Sequence, residues 1–561
     1  MSRLALAVLL VSATTQAIAQ DRTARPTRPP RGEDLPTWQA TGMKGAVVAG
    51  GSEATSAGLE VLQAGGNAAD AAVATLLALT VTDAHLACFG GEVPILIYDA
   101  ATGSIDVIAG QGAAPALATR EHFTSTGSGR IPLRGIEPAA VPGYLDACLT
   151  ALDRRGTMTF ARVAAPTLKL LDRGEYPWHA DLAKTLRIVC DAEKSAGSDR
   201  RRGLRLAADA FYRGPIARRI DGWARQSGAL IRYQDLARHV TRVEEPVTSI
   251  YRGHQIVKCG AWTQGPMLLQ ALQLLEGYDL KSLGHNSPEA IHLTTEAMKL
   301  AFADRDAYYA DPLFVDVPLK ELLDPEYARK RRELIDLKKA SMEQIPGDPI
   351  RSLARHADPA SVLPKGHAGP TSDTTTCLVA DSKGNVVAAT PSGWSGVLAG
   401  DTGVWLGSRL QSFNTQAGHP NVIEPFKRPR ITLTPTLVLR DGKPLMAVSV
   451  AGGDNQDQVI LQLLLNRIDF GLGASESVTA PRFLTDHFVG SFGQPEARLG
   501  SLKVYQELGE ATIQALKDRG HKVEIGRPPM AAAPTVLAID PSSGKLEAAG
   551  DPKAGRHAAA Y

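Results

Sequence analysis

From Ala68 to Leu79 the chain is built almost wholly of alanine and leucine, with only Asp70 and Thr75 interrupting the run with polar side chains. Both residue types favour helix, and a helix with so little polar surface has to be buried. The fold must therefore enclose it. A chain of 561 residues, 44% apolar and 21% charged, is long enough for one large or two ordinary domains with a sizeable core. Around this helix, strand and helix patterns mix. Residues 46–48 read as a short strand ended by Gly50-Gly51. Residues 52–64 read as a helix, with Ala54, Ala57, Leu59 and Leu62 at helical spacing, stopped by Gly65-Gly66. Strands follow at 95–98 and 105–109 around a hairpin at Ala101-Thr102-Gly103. The folded part is expected to begin near Gly42, and 140–340 to be mostly helical, with amphipathic stretches at 161–173, 203–226 and 288–310. Arg200-Arg201-Arg202 reads as a solvated helix face.

The formal net charge of +2 sets up no global field toward nucleic acid or an anionic membrane. Residues 1–19 have the form of a removable signal peptide: Arg3, an apolar run over 4–11, and the small-x-small site Ala17-Ile18-Ala19. That run is shorter than the roughly 20 residues needed to cross a bilayer, so no membrane span is expected after signal removal, and the protein is expected to be periplasmic or secreted. Residues 20–41, rich in Pro and Arg, read as a flexible leader. The five cysteines (Cys88, Cys148, Cys190, Cys259, Cys377) form no CxxC pair and accompany no metal-ligand spacing. They read as buried thiols with one bridge at most, and neither a metal nor a cofactor is implied.

The pattern changes after Leu353. Residues 354–372 are polar, rich in Pro, Gly, Ser and His, and have no apolar period, as an exposed linker would. A β-hairpin pattern stands directly behind them: 374–380 as one strand, 381–385 as the turn and 386–390 as the return. A flexible segment followed at once by a core strand is a natural place for chain scission, which would make Thr374 a new N-terminus. A threonine hydroxyl is a poor nucleophile without a base, and a free α-amine on the same residue supplies one with a pKa of about 7.7–8. The β-methyl group also restricts the hydroxyl to few rotamers.

Motifs along residues 42–561 make the chain resemble the γ-glutamyltransferase (glutathione hydrolase) family. They include Ala57-Gly58-Leu59-Glu60-Val61-Leu62, Gly65-Gly66-Asn67-Ala68-Ala69-Asp70, His85 before Gly90-Gly91, and Val141-Pro142-Gly143. Asp373-Thr374-Thr375, Asp381 with Gly384-Asn385, Lys427-Arg428-Pro429, Thr434-Pro435-Thr436, Gly452-Gly453, Ala480-Pro481-Arg482-Phe483 and Asp551-Pro552 follow in order. The resemblance implies an α/β (α+β) fold, the four-layer αββα sandwich of N-terminal nucleophile hydrolases, with a large subunit (42–373) and a small subunit (374–561) forming one composite domain. It implies cleavage between Asp373 and Thr374, because the family's processed strand starts Thr-Thr and reaches its Gly-Asn turn eleven residues on, at Asn385. It also implies that Ser392 orients the nucleophile and that backbone N–H groups of Gly452 and Gly453 form the oxyanion hole. Those glycines lie between a strand pattern (446–450) and a helix starting near Gln456.

The substrate side departs from the family. Gln111 stands where an arginine usually grips the donor's α-carboxylate, Ser412 where an aspartate holds its α-ammonium, and Trp394 where an asparagine lies near the nucleophile. The family's serine pair is Ile431 and Thr432. An amide in place of a guanidinium removes a bidentate clamp. Arg409, three residues before Ser412, could reach a carboxylate from another direction. The connection 413–427 is short where several transferases of the family carry a lid. The expected function is a self-processing exported amide hydrolase or acyltransferase acting on a small-molecule amide or γ-glutamyl substrate, with water or an amine as acceptor. One alternative is a true γ-glutamyltransferase with a modified clamp. Another is an uncut, non-catalytic binding protein.

Overall fold

The computed structural model describes residues 37–125, 129–355 and 373–561. The expected signal peptide, most of the leader and most of the linker lie outside the described residues. Within them the side-chain alternation of the strands builds four layers. In β2 (Gly45–Ala49) every residue is buried. Val47 packs among helices, while Ala46 and Val48 face a second sheet. β8 (Cys377–Asp381) repeats this, with Cys377 and Val379 toward helices and Leu378 and Ala380 toward the other sheet. From the opposite side, β11 (Lys443–Ala451) sends Met446, Val448 and Val450 into its own helical layer and Ala447 into the inter-sheet core. A strand buried on both faces reads as a continuous apolar run.

The first sheet adds β17 (His557–Ala560), β9 (Val386–Ala389), β3 (Val93–Asp99), β4 (Ser104–Gly110) and β5 (Arg242–Glu244), in the order β17-β2-β8-β9-β3-β4-β5. The second adds β1 (Gln39–Gly42), β16 (Leu546–Gly550), β15 (Ala533–Ile539), β10 (Thr436–Arg440), β7 (His254–Lys258) and β6 (Val247–Tyr251), in the order β1-β16-β15-β11-β10-β7-β6. Neighbours in both sheets are antiparallel. The alanine-leucine helix, Ala68–Thr82, lies against the first sheet with Leu76, Leu77 and Leu79 fully buried. Each such leucine contributes about 1.5–3 kcal/mol.

Several motif residues prove to hold the frame together. Asn67 caps the Ala68–Thr82 helix in a reciprocal box with Asp70, and the buried Asp70 carboxylate also accepts from Thr157 and from the Met158 N–H. Asp381 accepts from the Ala68 N–H at 2.9 Å and from the Asn385 amide at 2.8 Å, tying the β8–β9 turn to that helix.

The structure adds detail to four expectations. The stretch 203–226 is two helices, Arg200–Tyr212 and Pro215–Ser227, because Pro215 cannot continue a helix and starts the second one. Strands β5, β6 and β7 interrupt the region expected to be mostly helical. Order begins ahead of Gly42, since β1 pairs with β16 and Thr37 bonds Ala558. Arg200 is not simply solvated, because its guanidinium donates to the carbonyls of Met158 and Leu152. All five cysteines are buried and free, and no described helix is long and apolar enough to cross a membrane.

Candidate active site

β8 begins only at Cys377, and the three threonines before it have different surroundings. The Thr375 hydroxyl donates to Asp83 Oδ2 at 3.0 Å and accepts from Arg556 Nη1 at 3.0 Å. The Thr376 hydroxyl is buried without a hydrogen-bond partner among the described residues. Thr374 Oγ1 lies 3.2 Å from Ser392 Oγ, across an isolated antiparallel bridge between the two residues. In this uncut chain Thr374 is 4% exposed, and its nitrogen is still part of the Asp373 peptide bond. Two groups donate to the Asp373 carbonyl oxygen: the Ser392 hydroxyl, and the Gly393 N–H at 3.3 Å. The hydroxyl that would attack and the donors that would stabilise the resulting oxyanion therefore meet at one peptide bond.

A buried ion pair lies behind Ser392. Arg409 Nη2 donates to Ser392 Oγ at 2.7 Å, and Arg409 Nε donates to Glu92 Oε1 at 2.6 Å. Both side chains are almost fully enclosed. Burial pushes the Glu92 carboxyl up to about 7, although Arg409 pulls the other way. Burial likewise raises Asp373, again opposed by Arg409. Sequence patterns missed Glu92. The only available signal was one acid set in an otherwise apolar run at 86–98, directly after Gly90-Gly91.

Gly452 and Gly453 follow β11 and precede the helix Asn455–Ile468, with φ of 141° and 59°. Their carbonyls accept from the Asn455 and Gln456 N–H groups, at 3.1 Å each. A Cβ at Gly452 would stand 2.2 Å from the Ala531 carbonyl oxygen, so any side chain there forces the backbone to shift. The Ser449 hydroxyl lies 2.8 Å from that of Thr390 and donates to the Ala389 carbonyl at 3.0 Å. The C-terminal ends of β9 and β11 thus meet, with Ser392 three residues beyond β9 and Gly452 directly after β11. Asp454, which follows Gly453, is pinned by Arg305 Nη1 at 2.5 Å and by the Ser491 hydroxyl at 2.6 Å.

Comparison with known proteins fits this geometry. The family description "Gamma-glutamyltranspeptidase" matches residues 54–192 and 173–561. The glutathione hydrolase-like YwrD proenzyme of Bacillus subtilis is 31% identical over 91% of this chain and 97% of its own length. The acylase ACY 1 proenzyme of Pseudomonas sp. (strain SE83) is 32% identical over 90% and 91%. The solved cephalosporin acylase from Bacillus halodurans superposes with a TM-score of 0.78 at 26% identity, covering 95% of this chain and 99% of that one. The chain belongs to the γ-glutamyltranspeptidase family. It is accordingly a proenzyme-type amide hydrolase or acyltransferase with the αββα architecture of the N-terminal nucleophile hydrolases.

The residues singled out as departing from the family pattern lie as follows. Gln111 is buried, donates through Nε2 to the Pro429 carbonyl at 2.7 Å, and leaves Oε1 without a partner among the described residues. It lines a cleft of about 430 Å³ together with Arg238, Arg242, Phe426 and Arg428. Ser412 and Thr432 are buried, and their hydroxyls have no hydrogen-bond partner among the described residues. Trp394 packs on Trp405, ring centroids 4.4 Å apart, within the helical core of the first sheet. The short connection after Phe413 folds back on Ser412, whose carbonyl accepts from the Asn421 amide at 2.7 Å. A second cleft of about 470 Å³ opens beside Gly452 and is lined by Phe488, Phe492, Met530, Arg498 and Lys503. Phe492 also covers the Arg409 guanidinium at 5.7 Å.

Away from this site, His292, Glu296 and His521 bring possible metal-ligating atoms within 4.8 Å of one another. These groups are already engaged: His292 with His521 at 2.8 Å and Glu296 with Lys299 at 2.6 Å.

Proposed function

We propose that this chain cleaves itself between Asp373 and Thr374 and then works as an exported amide hydrolase through an acyl ester on Thr374. The observation that carries this reading is the geometry at Asp373. Of the three consecutive threonines, only Thr374 has its hydroxyl facing Ser392 while Ser392 and Gly393 donate to the preceding carbonyl. In turnover the freed α-amine takes the Thr374 proton, the hydroxyl attacks the substrate carbonyl, and the N–H groups of Gly452 and Gly453 stabilise the oxyanion. The amine then protonates the leaving group, and water opens the ester. The same geometry disfavours the uncut binding-protein reading, which gives this arrangement no role.

The acyl group is not restricted to γ-glutamyl. Gln111 and Ser412 bring neutral side chains to positions where a zwitterionic donor needs charges, and each unpaired charge in a partly dry pocket costs several kcal/mol. Arg409 is committed to Glu92 and Ser392, which weakens it as a substitute clamp. Neutral or single-carboxylate acyl amides are therefore preferred. Thr374→Ala should stay uncut and inactive, and Thr374→Ser should cleave slowly. Cleavage of Thr374→Ala at the same bond would sink the assignment.

A further inference from the structure

We propose that Glu92 is a positioning residue for self-cleavage, fixing the Arg409 guanidinium so that the Ser392 hydroxyl stays aimed at the Asp373 carbonyl. The inference rests on Thr374 being the nucleophile. A serine hydroxyl has one proton and two lone pairs, and here each has a place. Arg409 Nη2 donates into one lone pair at 2.7 Å, and the proton goes to the Asp373 carbonyl oxygen. The remaining lone pair faces Thr374 Oγ1 at 3.2 Å, which makes Thr374 the donor in that contact. A guanidinium has no acceptor, so Arg409 prevents the Ser392 proton from turning toward it. Its charge also polarises the Ser392 O–H as a donor to an oxygen that gains negative charge.

Cleavage then balances. Thr374 Oγ1 bonds to the Asp373 carbonyl carbon, its proton passes to Ser392 Oγ, and the Ser392 proton passes to the carbonyl oxygen. Collapse of the adduct breaks the C–N bond and returns that proton to the Thr374 nitrogen. An ester is left for water to hydrolyse.

Arg409 sits in a short turn, Arg409–Ser412, and its Nη1 has no hydrogen-bond partner among the described residues. Among the described residues, Glu92 Oε1 alone holds the guanidinium edge that serves Ser392, at 2.6 Å from Nε and 2.5 Å from Nη2. Glu92 is in turn fixed to Ser392 by reciprocal backbone hydrogen bonds, Glu92 N–H to the Ser392 carbonyl at 3.0 Å and the reverse at 2.9 Å. Acid and hydroxyl therefore keep a constant separation while Arg409 spans them. The charged or titratable groups facing Glu92 are Arg409, Asp373 and Cys88. With Glu92 pushed up to about 7, the pair is complete above neutrality and loses its negative member below it.

The test is the rate of self-cleavage of freshly synthesised full chain, followed on denaturing gels from pH 6 to 8.5. The parent rate should rise through pH 7. Glu92→Gln should lose that rise and cleave about tenfold more slowly at pH 8, equivalent to about 1.4 kcal/mol of barrier, and Glu92→Asp should recover part of both. Cleavage by folded Glu92→Gln within twofold of the parent, with the same pH step, overturns the proposal. If Glu92→Gln does not fold, the paired variant Glu92→Gln with Arg409→Gln removes both buried charges, and parental cleavage by it overturns the proposal equally. Parent fragments starting at Thr374 would keep the nucleophile assignment intact even then.

Discussion

Gly452→Ala should separate the two chemical steps of this protein. The added Cβ would lie 2.2 Å from the Ala531 carbonyl oxygen, against backbone rather than a side-chain tip that can swing away. With φ at 141°, alanine is also strained where glycine is not. Ordinary contact needs more than 3.4 Å, so the turn or the 531 segment must move by more than about 1 Å, enough to take an N–H out of line with an oxyanion. Strain of about 1–3 kcal/mol lies within the roughly 5–15 kcal/mol of a typical fold, so the variant should still fold. Losing one oxyanion donor lowers turnover about 10²–10³-fold. In the proposed self-cleavage the Ser392 hydroxyl and the Gly393 N–H donate to the Asp373 carbonyl instead, so cleavage should stay within a few-fold of the parent. The assay is a gel for cleavage beside initial rates on the best substrate from a panel of γ-glutamyl anilide, oxamate and cephalosporin side-chain amides. A cleaved Gly452→Ala enzyme with parental kcat would refute the assignment of Gly452.

Three further outcomes are expected. Introducing Gln111→Arg with Ser412→Asp should raise kcat/KM on γ-glutamyl anilide at least about tenfold, whereas a parent already efficient on that compound, with no gain in the variant, would favour a true γ-glutamyltransferase. The buried Arg482 donates to Asp551 at 2.6 Å; Arg482→Met strands that carboxylate and should lower stability by about 3–5 kcal/mol, measured by urea unfolding. His487 accepts from the Gly500 N–H and donates to the Glu343 carbonyl, and burial holds its pKa down at about 3. Unfolded chain therefore binds the extra proton first, so this stability is present above about pH 6.5 and is lost as pH falls. Between pH 7 and 5 the parent should lose about 2 kcal/mol more than His487→Gln, and equal losses would contradict it.

What the sequence made legible was local or repetitive. The Ala68–Thr82 helix stood out because its composition admits only burial, and the β8–β9 hairpin because strand, turn and strand are consecutive. Thr374 and Ser392 came from motif register, and the structure places them in contact. Glu92, Asp83 and Arg556 were not foreseen because their partners are remote: Arg409 is 317 positions from Glu92, and Thr375 is 292 from Asp83. No periodicity links such residues, and only the closed sandwich brings them together. Strands β5 to β7 were hidden for a related reason. Each is at most five residues long and partly exposed; β5 and β7 pair with β4 and β10, far away in sequence, while β6 pairs only with β7 in a short local hairpin.

The most direct measurement is N-terminal sequencing of the smaller fragment from the purified protein. Scission by Thr374 predicts the single start Thr-Thr-Thr-Cys-Leu. A start at Thr375 or Thr376, or one uncut chain, would contradict it.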